Sequence, residues 1–114
     1  MKNIPALKKT NEFQRVYRIH DAKKQDSIVM YKAPGTGRIG IVCSKKIGNS
    51  VVRHRFSRLV REVYRLNKDH IRKDTDIIIV ACEGVKEQGF FEIEASFLTL
   101  LKRHSIYLCF EEPK

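Results

Sequence analysis

The chain has 114 residues, 42% of them hydrophobic, enough to bury a core at this size and too many for an intrinsically disordered segment. Its 23 Lys and Arg against 13 Asp and Glu give a formal charge of +10. So small a domain repels itself unless something anionic shares the load, and nucleic acid is the default partner.

The excess is unevenly placed. Residues 1–37 hold eight basic and three acidic side chains, residues 38–73 eleven and two, and residues 74–114 four and eight. The longest apolar run, residues 77–82, ends at Asp76 and Glu83 and falls far short of the roughly 18 residues a bilayer span needs; no membrane role is expected. The first nine residues carry charge without an apolar segment, so they read as a loosely ordered start rather than a secretory signal, and the expected location is cytoplasmic. Cys43, Cys82 and Cys109 are an odd number with no CxxC spacing, which suggests structural thiols rather than disulfides or zinc ligands. His20, His54, His70 and His104 match no metal motif, so no protein-bound metal is expected.

In chain order, Thr10 or Asn11 can cap a short helix through about Ile19, with Phe13, Val16 and Tyr17 on one side. Residues 27–33 and 38–44 flank Pro34-Gly35-Thr36-Gly37, the pattern of two antiparallel strands joined by a tight turn, with Val29 and Tyr31 sharing a face. Residues 50 to about 67 are the clearest helix, because Val52, Phe56, Leu59, Val60 and Val63 recur at helical spacing. Residues 76–82 are apolar or β-branched almost throughout and read as an interior, parallel strand covered on both faces. A last helix over about 91–105 places Ile93, Phe97, Leu100, Leu101 and His104 on one side, with acids first and bases last. One domain over 1–114 follows, an α+β fold (a two-layer α/β sandwich) in the order α-β-β-β-α-β-α, with two or three strands between the first two helices. The thirty or so residues between the strands near 44 and 76 are long enough for a parallel crossover, which base rates make right-handed.

Gly35 to Gly40 satisfies GxGxxG, but a strand follows where a dinucleotide site needs a helix, and the expected acidic position falls among Arg55, Phe56, Ser57 and Arg58. The helix from Ser50 is more informative. With Val52 at zero and about 100° per residue, the apolar side chains fall within about −40° to +80°, and His54, Arg58, Arg61 and Arg65 fall at about 180° to 240°. Arg53 and Arg55 border the two faces, and Lys45 and Lys46 precede the helix. An ordinary solvated face would alternate acids with bases, yet Glu62 is the one acid from Lys45 to Arg65. Guanidinium groups fork onto phosphates and stack on bases, so the strip reads as a nucleic-acid contact. Phe13, Tyr17 and Tyr31 suit either a core or a groove in which unpaired bases stack.

The order Ser44-Lys45-Lys46-Ile47-Gly48-Asn49-Ser50-Val51-Val52-Arg53-His54-Arg55, running on through Arg58 and Arg61, strongly resembles the signature of the bacterial ribonuclease P protein component. Residues 13–17, 28–31 and 76–81 fall in family order around it. The resemblance implies a ribonucleoprotein that removes the 5′ leader of precursor tRNA, with a large RNA supplying the active site and Mg2+ bound mainly by that RNA. No catalytic residue and no protein-bound cofactor is then expected on this chain, and its partners would be ribonuclease P RNA and precursor tRNA, with no obligate protein partner. Lys45, Lys46, Arg53, Arg55, Arg58 and Arg61, with Arg65 along the same strip, would contact the catalytic RNA, and Phe13, Tyr17 and Tyr31 would hold the single-stranded leader. The family also implies a left-handed strand–helix–strand crossover. His54 and Ser57 depart from the usual pattern, which has Asn and a basic residue there. On the residues alone, a general RNA-binding or ribosome-assembly protein on the same fold is the alternative, and a protein-only nuclease is the other; the scarcity of acids in the basic region speaks against the latter.

Overall fold

A computed structural model describes residues 5–108. Helix α1 (Thr10–Ile19) leads into strands β1 (Asp21–Gln25), β2 (Ile28–Pro34) and β3 (Ile39–Val42). Helix α2 (Ser50–Asn67) follows, then a 3₁₀ turn (Lys68–His70), strand β4 (Thr75–Ala81), a second 3₁₀ turn (Val85–Glu87) and helix α3 (Phe90–Arg103). The α+β class and the α-β-β-β-α-β-α order agree with the sequence.

The sheet order is β1-β2-β4-β3, and this corrects the expected hairpin between residues 27–33 and 38–44. Those segments form strands but never pair. β4 lies between them, antiparallel to β2 with Met30 opposite Ile79, and parallel to β3 with Ile41 opposite Ile79. The physical reason is the composition of β4: with Ile77, Ile78 and Ile79 at most 1% exposed, it gains most by taking a partner on each edge and a cover on each face. The connection through Gly35 and Gly37 turns elsewhere. The amides of Thr36 and Arg38 donate to the carboxylate of Asp76 (3.1 and 2.8 Å) instead of closing a hairpin.

The real hairpin joins β1 to β2. Gln25 pairs with Ile28, leaving Asp26 and Ser27 as its two-residue turn, and Asp26 takes the left-handed region at φ 55°. The sequence counts a third strand here without placing it, because Asp21, Lys23, Lys24 and Gln25 are polar and the turn has no glycine. A polar strand is acceptable at the sheet edge, where one side of the ladder meets water.

Strand alternation divides the core. Ile28, Met30, Ile39, Ile77 and Ile79 face α2 and α3, meeting Phe56, Val60, Val63, Ile93, Phe97, Leu100 and Leu101. Ala33 and Ile78 face the other way, against Val16 of α1 and Leu7. Of the first nine residues, 1–4 lie outside the described residues. Pro5 and Leu7 exchange backbone hydrogen bonds with Ile39 (both 2.9 Å), which buries Leu7 beside α1. Thr10 lies inside α1 rather than capping it. Glu12 closes that end instead, accepting from the amides of Lys8 and Lys9 (2.8 and 3.0 Å). Those two amides, and then Arg38, hold its carboxyl down to about 2. Asn49 caps α2 by accepting from the Val52 amide (3.1 Å). Cys43 and Cys82 are free and half-buried; Cys109 lies outside the described residues.

His104 ends the core at the foot of α3. Its side chain is fully buried, Nε2–H donates to the Met30 carbonyl (2.8 Å), and Nδ1 has no hydrogen bond, standing 3.6 Å from Asp21. Burial pushes its pKa down; the Met30 carbonyl and Asp21 oppose that, while Lys32 and Lys23 add to it. The unfolded chain therefore takes up this proton at a higher pH than the native protein does, so stability falls as pH drops below about 6.5. Between pH 7.5 and 5.5, urea unfolding of the wild type should lose stability more steeply than His104→Gln, by up to about 1.4 kcal/mol per pH unit. Parallel pH profiles for the two proteins would count against this account.

Candidate nucleic-acid interface

α2 presents the strip that its sequence spacing predicts. Phe56, Val60, Val63 and Tyr64 are buried against the sheet and α3, whereas His54, Arg55, Arg58, Arg61 and Arg65 are exposed on the outer side. Lys45 and Lys46 are exposed in the loop that enters the helix. Gly48 belongs to that entry because a Cβ there would collide with the Val52 side chain.

The strip is mostly unneutralised. Among the described residues, Lys45, Lys46, Arg58 and Arg61 make no ion pair or side-chain hydrogen bond. Arg55 donates to the backbone carbonyl of Gln88 (2.7 Å), which orients it without cancelling its charge. Arg65 alone is paired, with Glu62 at 2.5 Å, and each group shifts the other toward its charged form. Arg53 is half-buried beside Cys43, and its Nε is buried with no hydrogen-bond partner. Burial raises the Cys43 thiol's pKa, and the Arg53 charge opposes that rise. Two shallow depressions flank His54: Arg53, Ser57 and Arg61 line one, Arg55 and Arg58 the other. Ser50 is common to both. His54 and Ser57 thus sit among the arginines, a placement sequence reading left without a role.

The aromatic residues assemble on the opposite face of the sheet. Phe13 and Tyr17 lie one turn apart on α1 with ring centroids 6.5 Å apart, and Tyr17 meets Tyr31 of β2 edge-on at 4.8 Å. All three are half-buried, with Val42 and Val80 beside them, so they line the angle between the flank of α1 and the sheet, a groove that leaves the rings partly open to solvent. They are core and surface at once. Burial, and then the neighbouring Tyr31, raise the Tyr17 pKa.

Gly40 is the residue of this groove that the sequence reading overlooked. A Cβ on Gly40 would lie 2.5 Å from the Phe13 ring, so only glycine lets that ring rest on β3. A glycine inside a strand pattern is the signal that marks such a close approach.

Together these features define a class: a basic α+β domain with a cationic helix on one face of its sheet and a cluster of aromatic side chains on the other. Comparison with known proteins narrows the class. The family model described as Ribonuclease P matches residues 1–105. The ribonuclease P protein component of Clostridium novyi (strain NT) is 41% identical over 112 residues, covering 94% of this chain and 99% of the relative. That of Lachnoclostridium phytofermentans is 42% identical over 104 residues, covering 89% and 90%. The solved RNase P protein of Staphylococcus aureus superposes with a TM-score of 0.82 at 30% identity, covering 92% of this chain and 99% of that one. The Thermotoga maritima RNase P protein gives 0.78 at 27%, covering 86% and 96%. The chain belongs to the ribonuclease P protein component family of bacteria.

Proposed function

We propose that this protein binds the catalytic RNA of ribonuclease P through the α2 strip and holds the 5′ leader of precursor tRNA in the α1 groove, so assisting endonucleolytic removal of the leader. The observation that carries this reading is the cluster of exposed Lys45, Lys46, Arg58 and Arg61 without carboxylate partners. Such self-repulsion is relieved when phosphates arrive and counterions leave. Arg53 and Arg55 extend the strip toward the entry of α2. Arg65 can join it by exchanging Glu62 for a phosphate.

The groove suits a single strand. Bases stacked on Phe13, Tyr17 and Tyr31 gain π contact without sequence readout, which fits leaders of varied sequence. The strip's guanidinium and ammonium groups are donors with no lone pair for a metal, so the Mg2+ that supplies the hydrolytic chemistry belongs mainly to the RNA. This chain's part is to bind and orient, in the cytoplasm.

Added at low magnesium to a bacterial ribonuclease P RNA, the protein should restore cleavage of precursor tRNA. Binding without stimulation would favour a general RNA-binding role instead. Arg58→Ala or Arg61→Ala should weaken affinity for ribonuclease P RNA and reduce the slope of log K against log salt by about 0.7–0.9; an unchanged slope would mean a solvated face. Tyr17→Ala and Tyr31→Ala should each shrink the preference for leader-bearing over mature tRNA, by about 1–3 kcal/mol for each lost stack. Equal weakening toward both RNAs would indicate core damage.

A further inference from the structure

α1 has ten residues, too few to be stable alone in water, so its position depends on what it is tied to. One tie is Val16, fully buried on the sheet. The other is ionic and centres on Asp76 of β4, which is 0% exposed. Its carboxylate accepts from the amides of Thr36 and Arg38 (3.1 and 2.8 Å), from the guanidinium of Arg15, and from Nη2 of Arg38 (3.4 Å). Arg15 also donates to the Pro34 carbonyl (2.6 Å), and Arg38 donates to Glu12 (2.7 Å). Gly35 lies so close to Asp76 that a Cβ on it would overlap the carboxylate.

The angular positions on α1 give this network its consequence. Taking Glu12 as zero at about 100° per residue, Arg15 lies at about 300°, Val16 at about 40°, and Phe13 and Tyr17 at about 100° to 140°. Val16 is the axle, the ion pairs hold one flank, and the aromatic wall is the other. A roll of α1 about Val16 is therefore opposed by the Asp76 network and moves Phe13 and Tyr17 directly. The strip on α2 is on the far side of the sheet; Tyr64, which touches this loop at the Gly37 carbonyl (3.4 Å), does so from the buried side of α2.

We infer that Asp76 and Arg15 form a clamp that sets the aperture of the aromatic groove, making them positioning residues for leader selectivity rather than contacts to RNA. The inference rests on the groove being the leader site. Arg15 suits the task because its planar fork reaches the Asp76 carboxylate and the Pro34 carbonyl together, which a single ammonium cannot do with the same geometry.

The test uses holoenzyme reconstituted from a bacterial ribonuclease P RNA with wild-type protein, Arg15→Lys, Arg15→Gln or Asp76→Asn. Dissociation constants are measured for precursor tRNA, for mature tRNA, and for protein binding to ribonuclease P RNA alone. Arg15→Gln should lose at least fivefold of the leader preference, and Arg15→Lys less, while mature tRNA and ribonuclease P RNA bind within twofold of wild type. Arg15→Gln decides the matter should Asp76→Asn not fold, since Arg38 and two amides still serve the carboxylate in it. A leader preference in Arg15→Gln within twofold of wild type would overturn the clamp and leave the groove assignment standing, as would equal weakening toward both tRNAs. A wild-type holoenzyme with no leader preference would overturn the groove assignment and the clamp together.

Discussion

A strand with apolar side chains on both faces cannot sit at an edge, and β4 is that strand. Ile77 and Ile79 require one cover, which α2 and α3 provide; Ile78 requires another, which α1 and Leu7 provide. Its two ladders separate β2 from β3, so the loop between those strands must cross over the end of β4. Asp76 meets the loop there. A buried carboxylate is costly unless fully paired, and two amides and two guanidinium groups complete it. The central apolar strand and its one buried charge thus dictate where both flanking layers lie.

The two sides of the sheet then differ in character. On one, α2 spends its apolar half on the core and turns most of its arginines outward, where Glu62, paired with Arg65, is the one neighbouring carboxylate on the helix. On the other, α1 covers only part of the sheet, and the rings of Phe13, Tyr17 and Tyr31 stand there beside Val42 and Val80. Gly40 lets Phe13 press onto the strand backbone. Cationic and aromatic side chains are thus placed on separate layers of one small domain.

Much of the candidate interface is legible in the linear sequence. The arginines of α2 are ordered by a helical period that needs no tertiary information, and their segregation from acids is visible in the linear chain. The groove was less legible. Phe13, Tyr17 and Tyr31 could equally have been core, because half-burial against an open sheet has no local signature. Gly40 was missed and β1 was left unplaced for opposite reasons: a single glycine passes inside a strong strand pattern, and a polar edge strand carries no apolar alternation at all. The apparent hairpin around Gly35 and Gly37 misled because turn residues report that the chain bends, not which strand it meets next.

The sequence by itself determined the element types, the amphipathic division of α2, the buried character of β4 and the family signature from Ser44 to Arg61, since all of these follow from local periodicity, composition and residue order. Only the tertiary structure decided the strand order, the meeting of Tyr17 with Tyr31, and the joining of Arg15 and Arg38 to Asp76. Those contacts link residues that are far apart along the chain. What selects them is the competition among strands for the most apolar neighbour, and no window of sequence contains that competition.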